Sequence, residues 1–83
     1  MDIIARDTRQ LGAAIRRRRR EQNLTQGALG ERMTARQATV SKLEKGEPAT
    51  QLQVLMKALA ALDLELIVRP RTTSSAKELE GLF

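Results

Sequence analysis

Apolar side chains recur along this chain at helical intervals, and most of the runs open on a capping signal. Asp7-Thr8-Arg9-Gln10 reads as an Asp N-cap with Gln three residues later, a capping-box variant. Leu11 and Ile15, four apart, follow it and predict a first helix running to about Gln22. A second start lies at Thr25, whose hydroxyl can accept from an amide one turn on, with Leu24 before it as a staple. Leu29 and Met33 give that helix its apolar face. After the polar break Thr34-Ala35-Arg36, Val40 and Leu43 mark a third helix, and Gly46 supplies a left-handed stop. Thr50 with Gln53 repeats the capping box. Leu52, Leu55, Met56, Leu59 and Leu62 then form the most amphipathic run of the chain, a fourth helix expected to close the core.

At Asp63 the period changes. Leu64 to Arg69 alternates, is rich in β-branched residues and ends at Pro70, which predicts one strand. A solitary strand leaves its amides and carbonyls unpaired and needs a partner edge. The economical partner is the same segment of a second copy about a twofold axis, with Leu62, Leu64, Leu66, Ile67 and Val68 at the interface. The alternative is that the fourth helix continues until Pro70 ends it. The expected fold class is therefore mainly α: four to five helices plus one C-terminal strand pairing across a dimer.

The organisation that follows is an N-terminal arm at 1–6, in which Ile3 and Ile4 are the bulky apolar residues, and a helical domain at 7–63. A dimerising strand at 64–70 and a flexible tail at 71–83 complete it. The tail ends on Phe83, the only aromatic residue of the chain. Leu79, Leu82 and Phe83 form either a small anchor for a partner protein or an incidental apolar end.

Composition narrows the chemistry. At 83 residues a single core is only marginally stabilising, and with no cysteine and no histidine neither disulfides nor thiolate or imidazole metal sites can supplement it. Dimerisation is the supplement left, and the absence of cysteine fits a reducing cytoplasm. No segment approaches the roughly 20 apolar residues of a membrane span, and the N-terminus has no secretory apolar region. Without histidine, cysteine, a phosphate-cradling glycine loop or an inward pair of carboxylates, the expectation is a protein that is not an enzyme and takes no cofactor or metal.

Charge carries more information through its placement than through its total. The chain is +5 overall, but residues 16–45 hold nine basic side chains against three acids. A localised positive field of that kind is what phosphate contact requires. On the third helix the outward positions are Gln37, Ala38, Thr39, Ser41, Lys42 and Lys45. Gln can pair bidentately with adenine, Lys can donate to guanine, and Ala or a Thr methyl can touch a thymine methyl. An ordinary solvated helical hairpin would show the same periodicity; the surrounding charge favours a helix that enters a major groove.

Arg16 to Arg20 cannot all point one way, because each step along a helix turns about 100°. Arg17 and Arg20 are candidates for phosphate, whereas Arg18 and Arg19 fall beside the inward stripe. Arginine is rarely buried alone, so the expected partner of Arg19 is Glu44 on the inner edge of the third helix; the alternative leaves both exposed. A basic amphipathic membrane helix is disfavoured, because the opposite face lacks the large apolar surface it needs.

LTQ-x-x-LGERM followed by QATVSKLEKG resembles the helix-turn-helix of the Xre-type family of phage repressor and Cro proteins. The upstream RQLGAAIRRRRRE is similar to the first helix of that family at Leu11, Ile15 and Arg19, and Glu44 stands where the family places the acid pairing with that arginine. The ending LMKALAALDLELIVRPR resembles a narrower group, the HipB-like antitoxins, dimeric repressors encoded beside a HipA-type Ser/Thr kinase toxin. The resemblance covers about residues 7 to 71. It implies a lambda-repressor-like domain that binds a palindromic DNA operator as a homodimer, with a HipA-like kinase toxin as a further partner and a cytoplasmic, nucleoid-associated location.

By the same resemblance Gln26 contacts backbone phosphate. Gln37, Ala38, Ser41 and Lys42 face base edges, and Thr39 reaches phosphate or base; Lys45 joins the DNA-binding set through its outward position on the third helix, not through the resemblance. Arg36 stands where the family often has a Ser or Thr N-cap, which weakens the cap and adds a charge near phosphate. Thr34 replaces the usual turn glycine, so a rearranged turn is expected. Gly27 and Gly30 cost the second helix propensity, on the order of 1 kcal/mol each; Gly30 is expected to let the hairpin helices approach closely, and Gly27 has no such account.

Overall fold

The computed structural model describes residues 2–71. Its elements are α1 (Thr8–Glu21), α2 (Gln26–Met33), α3 (Gln37–Glu44) and α4 (Leu52–Ala61), four helices with no strand among the described residues. Asp7 caps α1 by accepting from the Gln10 amide at 2.7 Å, while the Gln10 side chain accepts from the Arg6 amide at 2.6 Å, one residue earlier than a standard capping box. Thr25 caps α2 by accepting from the Ala28 amide at 3.0 Å.

All four helices end in the same way. Asn23, Thr34, Gly46 and Asp63 each take a left-handed conformation, and the amides around each return to carbonyls of the last turn. At Thr34, for example, its own amide reaches the Glu31 carbonyl at 3.2 Å and the Ala35 amide reaches Gly30 at 2.8 Å. The expected rearrangement at Thr34 does not occur. Its φ of 56° and ψ of 48° are those the usual glycine would adopt, so the paired amides hold threonine in a conformation that costs roughly 1–2 kcal/mol.

The core is Ile15, Leu29, Met33, Val40, Leu43, Leu55, Ala58, Leu59 and Leu62, with Leu11, Leu24, Ala35 and Val54 half-buried against it. Two expectations about α4 are corrected. Its N-cap is Gln51, without a side-chain cap bond, because the Thr50 amide closes the preceding turn onto the Glu47 carbonyl at 3.1 Å. Its buried stripe is Leu55, Ala58, Leu59 and Leu62, whereas Leu52 and Met56 are 70% and 47% exposed. Met56 lies one step of about 100° from Leu55, and Ala58 takes the inward place that a count of large side chains had given elsewhere.

Glycines set the close approaches. A Cβ on Gly12 would lie 2.5 Å from the Glu44 carbonyl oxygen and 2.6 Å from that of Leu43, so α1 crosses the end of α3 at backbone distance. Gly30 has a similar reason: a Cβ there would sit 2.8 Å from the Ala35 carbonyl oxygen in the turn between α2 and α3.

The chain beyond α4 is not a continuation of it. Leu62 caps the helix, Asp63 turns left-handed, and 64–71 carries no regular structure. Leu64 packs partly on the core, while Leu66, Ile67 and Val68 are 51%, 63% and 91% exposed. Leu62 is corrected as an interface residue. Its side chain is fully buried within one chain, because it completes the inward stripe of α4, and it has no surface to offer a partner. Leu79, Leu82 and Phe83 lie outside the described residues.

Candidate nucleic-acid interface

Helix α3 is anchored by Val40, Leu43 and Glu44, all buried, and this fixes the face it presents. Gln37, Ala38, Lys42 and Lys45 are exposed and Ser41 half-exposed, at the i, i+1, i+4, i+5 and i+8 spacing of one helical surface, and half-exposed Thr39 flanks it at i+2. Arg36 precedes them as N-cap with no side-chain cap bond, and its side chain is exposed. No acid interrupts this face, since Glu44 is turned inward.

Glu44 is the centre of the interior polar network. Arg19 Nε donates to its Oε2 at 2.6 Å and Arg19 Nη2 to its Oε1 at 3.0 Å, with both residues only 7% exposed. Arg19 Nη1 donates to the Leu24 carbonyl at 2.7 Å, so the guanidinium also holds the entry to α2. The hydrogen bonds with Glu44 raise the Arg19 pKa above its ordinary value despite the opposing effect of burial. Gln26, at the start of α2, donates from Nε2 to Glu44 Oε1 at 3.2 Å. The buried pair anticipated from spacing is thus part of a larger arrangement; the Gln26 contribution has no signature in the sequence, because a glutamine at a helix start can equally well extend into solvent.

The other arginines divide by direction. Arg16, Arg17 and Arg20 are exposed along an open groove between α1 and α3 that Ala13, Glu21 and Glu44 also line. Arg17 lies 3.5 Å from Glu21; a pair this exposed contributes little and yields readily to phosphate. Arg18 turns the other way. Its Nε donates to the Leu62 carbonyl at 3.1 Å, and Gln22 Nε2 donates to the same oxygen at 2.9 Å. One side chain of α1 and that of its C-cap thereby satisfy the end of α4, a contact sequence spacing does not reveal because 44 and 40 residues separate the partners. No helix among the described residues is long and apolar enough to cross a membrane.

A four-helix frame with a short α2–α3 hairpin, an outward polar α3 and a flanking arginine groove is the architecture of a helix-turn-helix protein. The helix-turn-helix family model HTH_3 matches residues 15–68, and the chain belongs to this Xre-type family. Among solved structures it is similar to HipB. It shares 26% identity and a TM-score of 0.79 with a HipB variant in an O2 20mer complex, with 87% of this chain and 100% of that one covered. A HipB–O4 20mer complex gives 25% identity and a TM-score of 0.80, and a HipA–HipB–O2–O3 complex 25% and 0.79; each covers 86% of this chain and 100% of the other. No curated protein matches the chain.

Proposed function

We propose that this protein is a sequence-specific DNA-binding repressor that acts as the antitoxin of a HipA/HipB-like pair, silencing its own operon and binding a kinase toxin in the cytoplasm, on the nucleoid. One observation carries the DNA reading. The outward face of α3 offers Gln37, Ala38, Ser41 and Lys42 free of acids, beside Arg16, Arg17 and Arg20. Glutamine and lysine read base edges there, and the arginines hold phosphate. Gln26 contacts phosphate at the start of α2, and Arg36, Thr39 and Lys45 border the same surface.

Two copies joined through 64–70 bind a palindromic site, their third helices about 34 Å apart in successive major grooves. The exposed Leu66, Ile67 and Val68 support this. The solved neighbours in which HipB is held with O2 and O4 20mers, and with HipA, support both the operator and the toxin. Footprinting on the protein's own promoter tests the reading, with Gln37→Ala expected to lose preference for that site over random duplex. Equal losses on both would remove Gln37 from base reading. Arg17→Ala and Arg20→Ala are expected to weaken both equally and to lower the salt slope by roughly one each.

The second reading is a stand-alone Xre/Cro-type repressor without a toxin, in which the tail has no partner. Deleting 72–83 leaves operator binding intact in either case. It weakens capture of a kinase encoded beside the gene only where Leu79, Leu82 and Phe83 anchor that kinase.

A further inference from the structure

We propose that Glu44 is a positioning residue for DNA contact, holding the Gln26 side chain ready for phosphate, an inference that rests on the DNA reading above. The Gln26 amide has two N–H groups. One donates to Glu44 Oε1 at 3.2 Å, which fixes the plane of the amide and leaves the second N–H available at a half-buried position beside the α3 face. A glutamine free to rotate would have to be ordered when DNA arrives; one already held does not incur that cost.

The charges are arranged to make this workable. A bare carboxylate one hydrogen bond from a phosphate site would repel it. Here the same carboxylate takes two bonds from Arg19, at 2.6 and 3.0 Å, and the third N-donating contact of Arg19 is spent on the Leu24 carbonyl. Glu44 is therefore a neutralised acceptor that ties α1 and α3 to the first residue of α2. A pair needed for stability alone can be exchanged for apolar side chains of similar volume with little loss, but hydrocarbon could not accept from Gln26.

The experiment compares the full-length chain with the combined Arg19→Met, Glu44→Leu variant on a duplex spanning its own promoter, against sheared genomic DNA. The variant is expected to melt cooperatively and to bind the promoter duplex roughly tenfold more weakly, with an unchanged salt slope because no phosphate-facing cation is lost. Gln26→Ala is expected to cost roughly tenfold in the natural background and less than about twofold in the apolar one, where the residue is no longer held. Binding equal to the natural chain, or an equal Gln26→Ala loss in both backgrounds, would overturn the proposal.

A measurement on the unaltered protein guards against a variant that does not fold. Side-chain amide relaxation of Gln26 without DNA is expected to be as restricted as the backbone of α2. Motion as free as that of an exposed glutamine such as Gln37 would equally overturn it. Should the natural chain itself show no preference for the promoter duplex, the DNA reading falls, and this inference with it; a preference that survives the paired substitution removes the inference alone.

Discussion

The crossing of α1 over α3 and the outer side of α4 with its C-terminal extension treat their side chains in opposite ways. At the crossing every unusual residue is accounted for inside one chain. Gly12 admits the Leu43 and Glu44 carbonyls, Arg19 and Glu44 satisfy one another, and Gly46 lets α3 stop against Arg9. On the other side Met56, Leu66, Ile67 and Val68 stand exposed, and nothing among the described residues covers them. A region whose oddities are resolved internally carries stability, whereas a region that leaves apolar surface open points to something outside the chain.

Substitutions can break that contrast, and the largest effect is expected at the buried pair. Arg19→Met alone strands the Glu44 carboxylate and is expected to cost about 3–5 kcal/mol, read from urea unfolding. Next is Gly12→Ala. Its Cβ would meet backbone rather than a movable side-chain end, so α1 must shift, at about 1–3 kcal/mol in the same titration. Thr34→Gly should act in the other direction, gaining about 1 kcal/mol by relieving the left-handed threonine less the chain entropy of glycine. A loss at that position would mean that the threonine is not strained.

The smallest effect on a single chain is expected at the exposed segment. Ile67→Lys with Val68→Lys should change protomer stability by under about 0.5 kcal/mol. The same change should abolish any dependence of the melting temperature on protein concentration. If the lysine pair unfolded the protein at every concentration, the segment would belong to the core after all.

What the sequence disclosed followed from period. Leu29 with Met33 and Val40 with Leu43 mark the helices of the hairpin, and those spacings also leave Gln37 to Lys42 outward and bring Glu44 into reach of Arg19. Period fails where the decisive residue is small or has no side chain. Gly12 gives no apolar signal although it sets the α1–α3 distance, and Ala58 rather than Met56 completes the stripe on α4. It also fails for main-chain acceptors: the Leu62 carbonyl that receives Arg18 and Gln22 is invisible in a string of letters. Leu62 stands at the end of the fourth helix, where the expected interface begins, yet its place on the inward stripe commits it to the core.

That doubly held carbonyl has a mechanical meaning. It fastens the departure point of the C-terminal extension to the same helix that carries Arg19, whose network in turn steadies the hairpin. In the symmetric pair proposed above, joined through those extensions, the span between the two reading heads would be set as by a caliper whose hinge has been pinned. In that proposed dimer a few degrees of play at Leu62 would move the far tips by ångströms, and Arg18 and Gln22 would then limit how far the spacing between half-sites could vary.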